Sequence, residues 1–318
     1  MAICPFCSQK SRQLGEPCSC GAGYTVHENH GEDSLGLLGT MIANKFIPVA
    51  VVSDSNYTVY YEAFQPAVDR TVSLIIIKNS YFTTKERHDG IFSTLDRCSA
   101  IKQQNTPILL EVIDLPEKQC FGVTYEAIKG EPLLDYLRKH SPDPVALMHI
   151  IHQLLQSVAA HHLKGVCFPR LGYSNLRLTR SGNDDFFLKL FGILNNIIAM
   201  GDTPNTPQDD VYYIGQIALS MMTGKPMPIE TLQLPPDRSY MLPIAQIFMR
   251  AIAPVSQRFS SCVELLQAFE TAFDLNSHES DKPSVVSAAP SKNTHHSHSA
   301  VTLEQIVWMH RPPQGKVR

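Results

Sequence analysis

The apolar residues of this chain change their period near Gly130, and that change limits the fold more than any other feature. Before it, MIANKFIPVAVV, TVYYEAF and TVSLIIIK are β-branched and aromatic runs broken by the polar turns SDSN and QPAVDR, the pattern of an antiparallel meander. ILLEVIDL and QCFGVTYEAI add two strands, and FSTLDRCSAIKQQ, at 92–104, reads as a helix between the third and fourth. Five strands and one helix predict a compact α+β lobe.

After Gly130, LLDYLRKH and PVALMHIIHQLLQSVAAHHLKG repeat apolar residues at every third and fourth position, as do YYIGQIALSMMTG and SSCVELLQAFETAF. Helices with so much apolar surface are buried on most sides. The expected fold is therefore two-lobed, a β-rich lobe at 37–128 and a mainly helical lobe at 129–275, joined near Glu126 to Gly130 with a cleft between.

The first 24 residues are of another kind. Cys4, Cys7, Cys18 and Cys20 form two closely spaced pairs, C-P-F-C and C-S-C. Four thiolates at the tips of short turns supply a tetrahedral set suited to Zn2+, and a closed four-ligand site is structural rather than catalytic. So short a segment cannot fold on apolar burial alone, so the metal would supply its folding energy. Gly15, Gly21 and Gly23 suit the turns. A redox switch is the alternative use of such thiols. Cys98, Cys120, Cys167 and Cys262 stand singly in apolar surroundings and read as small buried hydrophobes.

Residues 25–36 read as a polar linker and 276–318 as a disordered tail, since NSHESDKPSVVSAAPSKNTHHSHSA has almost nothing to bury. Within that tail His295, His296 and His298 read as solvated, and VTLEQIVWMH, at 301–310 with Trp308, has the spacing of a short helix that docks on a partner or back on the body. A net charge of −3 without a basic face gives no sign of nucleic acid as partner. Without a signal peptide or a run of about 18 apolar residues, the expected location is cytoplasmic, away from membranes.

The stretch from Phe46 to Ala63 aligns without a gap on the first two strands of eukaryotic-like bacterial Ser/Thr protein kinases, and LIIIK, ending at Lys78, resembles the V-A-I-K strand of that family. The resemblance runs to about residue 275: FGVTYEAIKGEPLLDYL is similar to the hinge strand and its helix, with Tyr125 as gatekeeper; HHLKGVCFPRLGYSNLRLT to the catalytic loop; DDVYYIGQIALSMMTGKPMP to the large buried helix. It implies a kinase-like fold and a nucleotide cleft in which Lys78 and Asn175 are the vestigial nucleotide positions. Read without the family, Lys78 is equally a lysine snorkelling at a strand end.

The parts that carry phosphoryl transfer are replaced one after another. Ser53, Ser55 and Thr58 stand at the three glycine positions of the phosphate loop, and Leu95 or Asp96 at that of the lysine's glutamate partner. Phe168-Pro169-Arg170 stands for H-R-D, so a cation replaces the general base, and Gly172 replaces the next lysine. Either Leu190-Phe191-Gly192 or Gly192-Ile193-Leu194 takes the D-F-G position, and neither brings the carboxylate Mg2+ needs. Asp184 and Asp185 read as turn residues. NNIIAMGDTPNTPQ is too short for a peptide-binding activation loop, whereas Asp210 and Arg258 match positions that brace the fold. The expectation is a catalytically inactive kinase-like protein, a pseudokinase, that binds and scaffolds protein partners such as an active kinase or another signalling protein. Its cofactor is structural Zn2+, with no catalytic residue and with tight ATP/Mg2+ binding not expected. The alternatives are an atypical kinase or other phosphoryl or nucleotidyl transferase, and a non-catalytic small-molecule sensor.

Overall fold

The computed structural model describes residues 2–4, 9–11, 13–20, 24–28, 31–140, 142–180, 186–200 and 205–279. Cys7, Gly21, Gly23, Asp184, Asp185, His295, His296, His298 and Trp308, and the short helix expected at 301–310, lie outside the described residues. At the amino end β1 (Ala2–Ile3), β2 (Lys10–Ser11) and β3 (Val26–His27) make a small antiparallel sheet in the order β2-β1-β3.

The expected meander follows. Strands β4 (Ile47–Asp54), β5 (Thr58–Gln65), β6 (Arg70–Ile77), β7 (Leu109–Leu115) and β8 (Cys120–Glu126) form one antiparallel sheet in the order β4-β5-β6-β8-β7. Alternation sends β6 side chains to opposite faces. Leu74 and Ile76 pack with Phe46, Tyr61 and Ile113 on one face; Ile75 and Ile77 pack with Val123 of β8 and with Ile91 and Leu95 of helix α1 (Lys85–Ser99) on the other. That helix starts earlier and ends earlier than the apolar pattern suggests. The Thr84 hydroxyl accepts the Arg87 N–H and caps it upstream of the first periodic apolar residue, a signal independent of apolar spacing.

Gly130 opens the second lobe at a φ of +120°, where a Cβ would lie 2.3 Å from the Leu178 carbonyl oxygen. Only glycine permits both the conformation and the approach. Strand β9 (Glu131–Pro132) pairs with β10 (Leu176–Arg180), which pairs with β11 (Phe186–Leu190), while α2 (Leu133–Lys139) and α3 (Pro144–His162) lie between them in sequence. A short helix, α4 (Ile193–Met200), precedes α5 (Pro207–Thr223), α6 (Leu242–Ala251) and α7 (Cys262–Glu279). Helix α7 thus takes up residues 276–279, which composition places in the tail.

Helix α5 is buried along most of its length, as its all-round apolar pattern requires. Thr206 and Asp209 form a reciprocal capping box at its start, Pro207 fills the first turn, and Gly224 closes its end in the left-handed region. Around it Leu154 and Leu155 of α3, Phe248 of α6 and Phe269 of α7 complete the main core.

The described residues of the stretch 25–36 are packed against the body rather than solvated throughout. Thr25 and Val26 are buried, and β3 belongs to the small sheet. The Asp33 carboxylate accepts backbone N–H groups of Leu35, Gly36 and Leu38 together with the Tyr61 hydroxyl, and Ser34 N–H bonds Asp54. A polar stretch thereby becomes an ordered loop against β5, with its charge absorbed by backbone donors. The knob touches the same strand: a Cβ on Gly15 would lie 2.4 Å from the Phe64 ring.

Helices α5 and α6 meet closely at Gly215, where an added Cβ would stand 2.8 Å from Ile252 Cγ2 and 2.9 Å from Ala251 Cβ. Gly215→Val should lower the urea midpoint by an amount equivalent to about 1–3 kcal/mol, because overpacking outweighs the gain in helix propensity of under about 1 kcal/mol. An unchanged or raised midpoint would show that the helices separate freely there.

Candidate functional site

The lobes enclose a cavity of about 370 Å3. Its roof is β4, β5, β6 and β8, through Val52, Ser53, Tyr60, Ser73, Ile75 and Tyr125; its floor is Phe168, Asn175, Leu190 and Phe191. Among the described residues that line it there is no aspartate or glutamate, and Arg177 is the one guanidinium. Arg177 already donates to the Gly130 carbonyl and lies over the Phe191 ring. Burial pushes the His161 pKa down, against the opposing effect of the bond its Nδ1–H donates to the Ser157 carbonyl at 2.8 Å.

The β4–β5 turn keeps its own donors occupied. Ser55 N–H bonds the Thr58 carbonyl, and Tyr57 and Thr58 N–H both bond the Ser55 hydroxyl. A loop whose amides are committed internally offers little to a phosphate. Lys78 lies at the same tip, outside the cavity lining. Its Nζ bonds Asp54 Oδ1 at 2.7 Å and the Ser55 carbonyl at 2.6 Å. Burial alone would raise the Asp54 pKa, but the bonds from Lys78 and Ser34 outweigh it and hold the carboxyl below its usual range.

Ile75, 5% exposed, lines the cavity where Lys78 does not. Three residues along a strand is an odd step, which puts the two side chains on opposite faces. Ser73, two places before Ile75, faces the cleft with it. Opposite Ile75, α1 presents Ile91 and buried Leu95, while Asp96 is exposed. The contact between sheet and helix there is apolar.

Asn175 is likewise engaged. Its Oδ1 accepts the Gly172 N–H at 3.1 Å, its Nδ2 donates to the Phe191 carbonyl at 3.1 Å, and Asn196 of α4 bonds its amide at 3.3 and 3.4 Å. Phe191 N–H in turn bonds the Asn175 carbonyl. Leu190, 1% exposed, lines the cavity at the end of β11, and a Cβ on Gly192 would lie 2.9 Å from Asn175 Nδ2. Arg170 is exposed, with a left-handed φ of +52°.

Behind the cavity, Leu194 and Ile198 of α4 join Ile75, Ile77, Ile91 and Leu95 in one apolar cluster. Asn196 Nδ2 also donates to the Pro169 carbonyl at 2.8 Å. Helix α4, unforeseen within the short loop, therefore fastens the sheet and α1 to the loop at 168–175. Below that loop, Asp210 of α5 is fully buried. Its Oδ2 accepts the Phe168 N–H at 2.6 Å and the His162 Nε2–H at 2.8 Å, and its Oδ1 accepts from Asn205. Cys262 N–H donates to His162 Nδ1, which fixes the tautomer. Arg258 braces the lobe by donating to the Ala253 carbonyl and lying over the Tyr212 ring.

No family model matches the sequence, and no curated protein matches it. By structure the chain is similar to the kinase domain of Mycobacterium tuberculosis PknI, with a TM-score of 0.55 at 17% identity, covering 74% of this chain and 98% of that one. The C20A mutant of the same domain gives 0.52 at 17% identity, over 72% and 96%. The chain has a protein-kinase fold. In that fold the cavity lies between the two lobes, and Asp210 ties the backbone at Phe168 to the buried helix α5.

In the knob, the ligand atoms of Cys4, Cys18 and Cys20 lie within 4.8 Å of one another, with Cys4 Sγ and Cys20 Sγ 3.7 Å apart. Tetrahedral Zn–S bonds of about 2.3 Å place sulfurs about 3.8 Å apart. Cys20 N–H points at Cys18 Sγ, an outer hydrogen bond of the sort that tunes thiolate ligands. The described part of the donor set fits a zinc ion.

The Lys78–Asp54 pair should behave as a structural tie. Lys78→Ala and Asp54→Ala should each destabilise by about 1 kcal/mol, and the double variant should cost less than their sum by roughly 0.5–1 kcal/mol. Strict additivity in a urea double-mutant cycle would remove the pair from the account.

Proposed function

We propose that this chain is a pseudokinase: a protein with a kinase fold that performs no phosphoryl transfer and acts as a binding and regulatory module for protein partners, an active kinase or other signalling protein being the fitting class. The observation that carries this reading is the absence of any carboxylate among the described residues lining the interlobe cleft. Phosphoryl transfer needs a carboxylate to hold Mg2+ and a base to position the hydroxyl. Here Leu190 and Ile75 offer hydrocarbon, Asn175 spends its amide on Gly172, Phe191 and Asn196, and Arg170 cannot accept a proton.

The scaffold half of the reading is supported by what is retained. Asp210, His162, Arg258 and the apolar cluster around α4 maintain the two-lobed shape without serving any chemistry. ATP should give no Mg2+-dependent rise in Tm, and labelled phosphate should enter neither this chain nor a general acceptor such as myelin basic protein. A Mg2+-dependent shift of several degrees, or incorporation above background, would overturn the reading.

Zinc would be held by Cys4, Cys18 and Cys20, with Cys7 as the fourth ligand, and would order the knob that rests on Phe64. Purified protein should contain about one zinc per chain, and Cys4→Ser should lower that content well below one. Full zinc retention in Cys4→Ser would remove Cys4 from the site.

A further inference from the structure

Strand β4 is an edge of the five-stranded sheet, and its pairing with β5 shifts register twice, between Pro48 and Ala50 and between Val51 and Ser53. An edge strand has a partner on one side only, and each bulge disrupts the ladder the two share. Yet this strand bears directly on the cleft: Val52 and Ser53 line the cavity, and the β4–β5 turn follows at once. Its outer side is secured by the amino-terminal segment.

The contacts run the length of the strand. Gly39 N–H donates to the Pro48 carbonyl, and Tyr24 N–H donates to the Gly39 carbonyl. Gly31 lies against Val51, with an added Cβ 3.5 Å from its side chain, and Asp33 accepts from the Tyr61 hydroxyl of β5. At the far end Asp54 is the junction. Its Oδ2 accepts the Ser34 N–H at 2.9 Å and its Oδ1 accepts from Lys78 Nζ at 2.7 Å, while the same ammonium donates to the Ser55 carbonyl inside the turn. The knob joins this segment at Thr25: Gly15 N–H donates to the Thr25 carbonyl, Thr25 N–H to the Glu16 carbonyl, and the Thr25 hydroxyl to the Gln13 carbonyl. Gly15 also rests on Phe64 of β5.

We infer, resting on the zinc reading of Cys4, Cys18 and Cys20, that the knob is a metal-set strap: with zinc bound it holds β4 and the β4–β5 turn in place over the cleft, and loss of the metal releases them while the helical lobe stays folded. A segment this small owes its order to the ion more than to apolar burial, so its grip on Thr25, Gly39 and Ser34 weakens when the ion leaves. Zinc occupancy at one end of the chain is thereby read out at the roof of the interlobe cleft.

The test is hydrogen exchange by mass spectrometry on the full chain, with the zinc content of every sample measured. Stripping zinc with the chelator TPEN should speed amide exchange across 47–61 by at least about 5-fold, the equivalent of one lost hydrogen bond, and leave helix α5 unchanged. Two variants act without touching a cysteine. Gly15→Val should drive the knob off Phe64 and reproduce the effect in zinc-replete buffer. Tyr61→Phe should reproduce part of it, and stripping zinc from that variant should add less than the two effects measured separately, since both loosen one tie. Zinc content near zero with exchange across 47–61 unchanged overturns the strap and leaves the zinc reading intact. Exchange that quickens equally in α5 overturns it too, by making the knob a support of the whole fold, as does unaltered exchange across 47–61 in Gly15→Val. A purified chain that holds no zinc and takes up none removes the zinc reading and the metal-set strap together, an outcome told apart from the others by the zinc content alone.

Discussion

The buried carboxylate of Asp210 is the point from which the helical lobe is organised. An ionised group at 0% exposure persists only if its lone pairs are filled, and here the Phe168 amide, the His162 imidazole and the Asn205 amide fill them. Each donor belongs to a different part of the chain: the loop before β10, the end of α3, and the lead-in to α5. His162 passes the connection on to the Cys262 amide at the start of α7. A single charge thus fixes three helices and the floor of the cleft. Removing it while leaving its donors in place would strand several buried N–H groups at once. The duty of such a residue is to the backbone.

Above that floor, the structure exchanges polar machinery for hydrocarbon. In an active kinase the lobes are drawn together by charges gathered around a metal and a nucleotide. In this chain Ile75, Ile91, Leu95, Leu194 and Ile198 share one apolar cluster across the same space, and full burial of each such side chain is worth roughly 1.5–3 kcal/mol. Apolar contact needs no ligand and carries no group that titrates. Ile75 is thereby a joint between the sheet, α1 and α4.

How much of this was legible in the sequence depended on the physical signal. The five strands, the hinge near Gly130 and the buried helix α5 announced themselves by period and by caps such as Thr206 and Gly224. Asp210 and Arg258 were legible through the resemblance, since an isolated charge in an apolar helix has few reasons to be there. Three consecutive isoleucines before Lys78 carry no internal mark of which face each takes; the structure puts Ser73 and Ile75 in the cavity lining and Lys78 outside it. The linker at 25–36 misled because polarity alone does not separate a solvated tether from a loop whose carboxylate, Asp33, binds its own amides. The docking of helix α4 depends on tertiary placement, which no local pattern records.

The docking of α4 beneath α1 also bears on how the surface would be recognised. An active kinase moves between open and closed poses, and a partner that reads one pose must draw it from that mixture, losing affinity in proportion to its rarity. Here Leu194 and Ile198 secure the interlobe angle from within while Asn196 holds the loop at Pro169. A partner would meet one shape, set when the chain folded. Recognition of this molecule then becomes a matter of surface complementarity, and its specificity can be as sharp as that of a rigid epitope.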